Sequence, residues 1–342
     1  MQEPILLQAC RRRPTPYTPV WLMRQAGRYM PEYRALREKV PFLTLCKTPD
    51  LAAQVTVDAA ERLGVDAAII FADILLIVEP MGVGLEFSKG DGPVIHRPVR
   101  SGADVDRLSD RSPSETVPFV FEAVGKARAA LPAQIPLIGF SGAPFTVASY
   151  LVEGGSSRHY LETKRLMYQD AGAWRALMER LVRVIAAYVN GQIAAGAQVV
   201  QLFDSWVGCL SPADYRTFIL PHMRTLIHSI TPGTPVIHFG TGTAGLLELM
   251  AEAGGDVIGV DWRIDLDVAW RRIGEKRAAQ GNLDPVALFA PQAELRRQVE
   301  GILRAVAGRP GHIFNLGHGI LPQTPVENVV ALVEMVHEMS MK

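Results

Sequence analysis

Two arginines four positions apart, Arg24 and Arg28, stand in Met23-Arg-Gln-Ala-Gly-Arg-Tyr-Met30, a glycine-containing stretch that predicts an irregular loop leaving a strand. A guanidinium is a rigid fork of donors that pairs in bidentate fashion with carboxylate or phosphate, so two in one loop suit a polyanion. The same spacing also fits surface salt bridges to nearby glutamates, and spacing alone leaves both readings open. Asp73 lies between Ile69-Ile70-Phe71-Ala72 and Ile74-Leu75-Leu76, a lone carboxylate inside an apolar run. Buried without a partner it is costly, so it is either tied to an arginine or faces a cleft as a working charge; its place at a strand end favours the cleft. Asp204 and Asp261 carry the same two readings. His318, between Gly317 and Gly319, suits close approach of backbone to a ligand, or a cap on the last helix. Tyr150 follows an apolar stretch and by position reads as core. Ser205 has no histidine in a nucleophile-elbow context, so triad chemistry is not expected.

Positioning these groups falls to a regular alternation. Short runs rich in Val, Ile and Phe at 135–140, 198–203, 235–239, 256–260, 278–282 and 312–316, with earlier candidates at 20–23 and 67–71, predict strands. Helical periodicity over 163–195, 212–229 and 294–307 provides crossovers between parallel neighbours. A hydroxyl precedes a proline at Thr48-Pro49, Ser211-Pro212 and Thr324-Pro325, a helix-start pattern, and Pro31 opens a further helix after the irregular stretch 24–30. Residues 82–98, with Gly82, Gly84, Gly90, Gly92 and Pro93, read as a hairpin over one end. The expected fold is α/β, a (β/α)8 (TIM-type) barrel forming one domain over residues 1–342 with its cleft at the C-terminal ends of the strands. An open doubly wound sheet is disfavoured because no G-x-G-x-x-G follows a strand. In a barrel the residues just past each strand form one ring: Asp73, Ser141-Gly142, Asp204-Ser205, His238, Gly240-Thr241-Gly242, Asp261, Asn282 and His318.

Composition sets outer limits. The 342 residues are 48% hydrophobic and 20% charged, which fits a packed globular core and excludes a disordered chain. Lys+Arg and Asp+Glu balance at 35 each, so nothing overall calls for nucleic acid or an anionic membrane, and Arg11-Arg12-Arg13 reads as a solvated turn. Three scattered cysteines, Cys10, Cys46 and Cys209, form no framework and fit a reducing cytoplasm; neither a membrane-spanning apolar stretch nor a signal peptide is expected. No H-E-x-x-H, paired-cysteine or P-loop pattern occurs, and no cofactor or metal is expected.

Six stretches together are more specific than a generic barrel: Met23-Arg-Gln-Ala-Gly-Arg-Tyr-Met-Pro-Glu-Tyr-Arg34, Phe71-Ala-Asp-Ile-Leu75, Phe140-Ser-Gly-Ala-Pro-Phe-Thr146, Tyr150-Leu-Val-Glu-Gly-Gly155, Gln201-Leu-Phe-Asp-Ser-Trp206 and Asn315-Leu-Gly-His-Gly-Ile-Leu-Pro322. In this order, from about residue 19 to 330, the chain resembles the uroporphyrinogen decarboxylases, with Ala72 where serine is frequent and Met30 where leucine is. The resemblance implies a cytoplasmic homodimer of haem synthesis that converts uroporphyrinogen III to coproporphyrinogen III without metal or coenzyme. Carried over by position, the substrate-binding set is Arg24, Gln25, Ala26, Gly27, Arg28, Asp73, Tyr150, Ser205 and His318, with Asp73, Arg28 and Arg24 catalytic. Two rivals remain for comparison. A methyltransferase of the same superfamily needs zinc held by a histidine and cysteine thiolates, whereas His238-Phe239-Gly240 offers no cysteine two residues on. A non-catalytic tetrapyrrole carrier needs the arginines but not Asp73.

Overall fold

The computed structural model describes residues 3–88 and 92–342. Seven strands form one all-parallel sheet: β1 Ala68–Ile69, β4 Leu137–Gly142, β5 Val199–Asp204, β6 Val236–Gly240, β7 Val257–Gly259, β8 Ala278–Gln280 and β9 His312–Ile313. Between β1 and β4 an antiparallel hairpin intervenes, β2 Leu85–Ser88 with β3 Gly92–Ile95. Gly90, expected near its tip, lies outside the described residues. The strands of the large sheet are buried along their length because helices cover the outer face, which is why they read as nearly continuous apolar runs. Spatial order equals chain order, β1-β4-β5-β6-β7-β8-β9. Every crossover therefore advances the same way, unlike a doubly wound sheet, where the order reverses.

Side chains across the interior show the curl. Gln280 on β8 donates from Nε2 to Gln201 Oε1 on β5 at 2.9 Å, and Trp21 Nε1 donates to Gln280 Oε1 at 2.9 Å. In a flat sheet β5 and β8, three strands apart, would be separated by roughly 14 Å. Phe203 lies edge-on to both Phe140 and Phe239, at centroid distances of 5.5 and 6.0 Å.

The expected eighth strand at 20–23 is not one. Val20 makes a single parallel bridge to Phe314, and its carbonyl accepts from Asp66 N at 2.8 Å just before β1. Trp21 N still donates to Phe314 O at 3.4 Å, but the two amides after it turn to side-chain acceptors, Leu22 N to Gln25 Oε1 at 3.0 Å and Met23 N to Asn315 Oδ1 at 3.1 Å. These replace ladder bonds and let the chain bend at once into the arginine loop. The observed architecture is thus a curled seven-stranded parallel sheet with the segment around Val20 between its two edges. Strands 67–71, 278–282 and 312–316 are likewise shorter than expected; Phe71 N, for example, leaves the ladder for Thr56 Oγ1 at 2.8 Å.

Two long helices are interrupted. The stretch 163–195 divides into Leu161–Gln169 and Ala171–Ala195, because Asp170 accepts from Ala173 N at 2.9 Å and starts a new helix. Over 212–229 a short helix Pro212–Asp214 passes through a π-turn, Tyr215–Ile219, before Leu220–His228; Pro221 lacks the N–H an unbroken α-ladder needs. The third expected helix is found at Gln292–Val306. Of the three hydroxyl-proline starts, only Ser211 caps its helix, accepting from Asp214 N at 3.1 Å. Thr48 instead donates to Thr44 O at 2.7 Å, and the last helix begins after Thr324, at Val326. Trp21, Trp174, Trp270, Phe145 and Phe314 are fully buried, anchoring the core on both faces of the sheet.

Candidate active site

The loop after Val20 is held by its own second residue. Gln25 is fully buried; its amide oxygen takes the Leu22 N–H and its Nε2 donates to Ala67 O at 3.0 Å, while Tyr29 Oη donates to Gln25 O at 2.7 Å. Gln25 therefore pins the loop with a side chain turned inward, and Ala26 and Gly27 are half-buried beside it. The pinning sustains a backbone that is otherwise unfavourable, since Arg24 has φ 63°, a left-handed conformation costing a non-glycine residue about 1 kcal/mol. Neither Arg24 nor Arg28 makes an ion pair among the described residues, which removes the expectation of a salt-bridged surface pair.

Arg24 reaches solvent, yet its neighbours crowd it enough to lower its pKa: burial contributes most, then the charge of Arg28, opposed by Asp73 and Tyr150. Asp73 follows β1 and accepts from Leu75 N at 2.9 Å. Burial raises its pKa, against the Leu75 amide and the positive charge of Arg24. It has no ion-pair partner within 4 Å among the described residues. Tyr150, on the helix Pro144–Glu153, packs on Trp206 at 3.8 Å between ring centroids, and Tyr160 meets the same indole at 5.3 Å. Burial and the negative charge of Asp73 push the Tyr150 phenol up to about 12, so it is a neutral donor at ordinary pH. Ser205 is half-buried, directly after β5.

His318 is fixed by close packing. A methyl at position 319 would come within 2.5 Å of Arg24 Cδ, and one at position 317 within 2.4 Å of Trp262 N. The two glycines thus let the Arg24 stem and the Trp262 backbone close on either side of the imidazole. Burial, followed by the charges of Arg24 and Arg263, lowers His318 to about 4, so it is neutral near pH 7. The final helix has no side-chain cap, and the capping role considered for His318 is not found.

Arg24, Arg28, Asp73, Tyr150 and His318 thus form one charge-coupled group past the strand ends. Four other members of the expected ring, Asp204, His238, Asp261 and Asn282, are buried. Asp261 is buried and tied to Arg263 Nη1 at 2.5 Å, to Arg263 N at 3.1 Å and to Gly242 N at 2.5 Å. Asp204 is buried against Thr146 Oγ1 at 2.9 Å, and burial raises its pKa to about 7. Asn282 spends its amide on the carbonyls of Asp261 and Ile264. His238 is fully buried, with its pKa lowered to about 4 by burial. Among the described residues no group of three or more His, Cys, Asp or Glu side chains is placed to hold a metal ion, and no helix is long and apolar enough to cross a membrane. A charged residue beside this group that the sequence analysis does not single out is Arg263; its signal is its place two residues past Asp261.

Comparison with known proteins adds an independent line. A family model described as Uroporphyrinogen decarboxylase (URO-D) matches residues 1–339. Similar curated proteins include the uroporphyrinogen decarboxylase of Carboxydothermus hydrogenoformans, 56% identical over 98% of this chain and 96% of that protein. That of Solibacter usitatus is 57% identical over 97% of this chain and 96% of its own length. Among solved structures, a methyltransferase from Methanosarcina mazei superposes with a TM-score of 0.82 at 22% identity, covering 97% of each chain, a likeness of fold.

Proposed function

The chain belongs to the uroporphyrinogen decarboxylase family, and from that premise we propose how its residues divide the reaction. The activity is that of a carboxy-lyase of haem biosynthesis, converting uroporphyrinogen III to coproporphyrinogen III. Each of four acetate side chains loses carbon dioxide and becomes a methyl group.

A carbanion on an acetate methylene needs an electron sink. Protonation of the pyrrole carbon beside the reacting side chain makes the ring a cation; the C–CO2 bond then breaks and its electron pair neutralises that charge. The exocyclic methylene takes a second proton to become methyl, and the ring proton departs. One proton is consumed per carbon dioxide released. Asp73, ionised, accepts hydrogen bonds from the pyrrole N–H groups and stabilises the cation as it forms. Arg24 and Arg28 grip and orient carboxylates of the substrate, while Tyr150, Ser205 and neutral His318 act as uncharged hydrogen-bond partners. Backbone of Gln25, Ala26 and Gly27 completes the cradle.

One observation carries this reading: an unpaired, crowded Asp73 carboxyl is electrically coupled to an Arg24 guanidinium that also has no ion-pair partner among the described residues. The proposal extends to a closed eightfold barrel, with the Val20 segment in the eighth position, as one domain over residues 1–342. Assembly as a cytoplasmic homodimer, without cofactor, nucleic acid or membrane, rests on the family resemblance and is checked by light scattering. Anaerobic incubation with uroporphyrinogen III tests the activity: four successive mass losses of carbon dioxide without added cofactor are expected. A chain that binds the substrate and returns it unchanged is a carrier.

A further inference from the structure

We infer that Arg263 is a third substrate-binding guanidinium, holding at the rim of the cleft a propionate carboxylate that survives the reaction. The inference rests on the decarboxylase reading of the site and adds a residue to it.

Arg263 lies just past β7 in a turn fastened on both sides. Asn282 Nδ2 donates to the carbonyls of Asp261 at 2.9 Å and Ile264 at 2.7 Å, and Asp261 Oδ1 accepts the Arg263 amide. The side chain is equally constrained: Nη1 donates to the buried Asp261 Oδ2 at 2.5 Å, and the guanidinium carbon stands 3.9 Å from the centre of the Trp262 ring. Stacking and ion pairing fix a flat fork in one orientation, and such preorganisation reduces the entropy lost on gripping a planar carboxylate. The side chain nevertheless stays 49% exposed. Only Nη1 is engaged among the described residues, so Nε and Nη2 remain available to an anion.

The turn abuts the site directly. Trp262 stands edge-on to His318 at 6.5 Å, and Gly317 closes on the Trp262 backbone, while Gly319 closes on Arg24. His318 is thereby flanked by Arg24 on one side and the Trp262–Arg263 turn on the other, and it feels both guanidiniums. Asp73 feels Arg24. Arg263 therefore stands across His318 from Arg24. A fork on that side is suited to a non-reacting group. Tight ion pairing to the departing carboxylate stabilises the ground state and slows its loss, whereas binding energy taken from remote carboxylates orients the ring at no such cost.

The test compares wild type with Arg263→Gln and Arg263→Lys under anaerobic conditions, measuring KM and kcat for uroporphyrinogen III. Equilibrium affinity for coproporphyrinogen III, which keeps the four propionates and has no acetates, is measured in parallel. Arg263→Gln is expected to weaken both KM and product affinity about tenfold with kcat changed less than about threefold; Arg263→Lys, keeping the cation without the fork, should fall between. Unchanged product affinity overturns the inference, whether kcat falls or not, since Arg263 then serves only to neutralise Asp261. Product affinity equally weak in Arg263→Lys and Arg263→Gln, together with a lower melting temperature in both, also overturns it, pointing to loss of the turn. Because product binding needs no turnover, an inactive wild type strikes the decarboxylase reading and leaves this measurement standing on its own.

Discussion

Replacing Asp73 by asparagine isolates the charge on which the mechanism depends. The amide is nearly the same size and keeps an oxygen to accept the Leu75 N–H, now bonded at 2.9 Å, so the local backbone has no reason to move. What disappears is a negative charge facing a developing cation in surroundings crowded enough to raise the carboxyl's own pKa. In such low-dielectric settings one preorganised electrostatic contact contributes about 3–4 kcal/mol to transition-state stability, or about 10²- to 10³-fold in rate. Single-turnover decarboxylation should fall by that factor, while equilibrium affinity for coproporphyrinogen III changes less than about threefold. Stability supplies a control with a definite sign. The folded-state pKa of Asp73 is raised, so ionisation disfavours the folded state, and wild type loses stability as pH rises from 3.8 through the folded pKa. Asparagine escapes that loss and should melt no lower than wild type at pH 8. A variant keeping more than about a tenth of the single-turnover rate would refute the assignment of Asp73 to cation stabilisation.

Two further expectations follow from the same geometry. Gly319→Ala drives a methyl toward Arg24 Cδ, 2.5 Å away, and should raise KM about tenfold with a small change in melting temperature; an unchanged KM shows that Arg24 does not need its present position. Asp204, buried and with a pKa raised from 3.8 to about 7, penalises the folded state increasingly from pH 3.8 to about 7 and fully above, on the order of 4 kcal/mol. In denaturant titrations, Asp204→Asn should therefore gain on wild type as pH rises from 5 to 8; a difference independent of pH would mean that Asp204 is ionised throughout.

What the sequence made legible was decided by how local each signal is. Parallel strands covered on both faces produce continuous apolar runs, so all seven strands of the large sheet fall within expected runs, give or take a few residues, and their winding order follows. The Val20 segment misled because it is as apolar as a strand, while its amide partners, Gln25 and Asn315, are side chains that no hydrophobic pattern registers. Breaks at Asp170 and Pro221 were written in single residues inside long amphipathic runs and were overridden by the periodicity. At the site, position after a strand end brought Arg24, Asp73 and His318 to notice. It did not separate Asp73 from Asp261, since the tie to Arg263 depends on how one turn folds back on its own carboxylate. Arg263 itself was legible only as the neighbour of a residue under suspicion.

The bond from Met23 N to Asn315 Oδ1 spans 292 positions of sequence. At about 5–20 residues per second, a ribosome takes roughly 15–60 s to deliver the second partner after the first has emerged. Throughout that interval the arginine loop waits without Gly319 to seat it or Phe314 to bridge Val20. A nascent chain stalled before Asn315 contains the residues of all seven strands of the large sheet but lacks Asn315, His318 and Gly319, and with them a complete site.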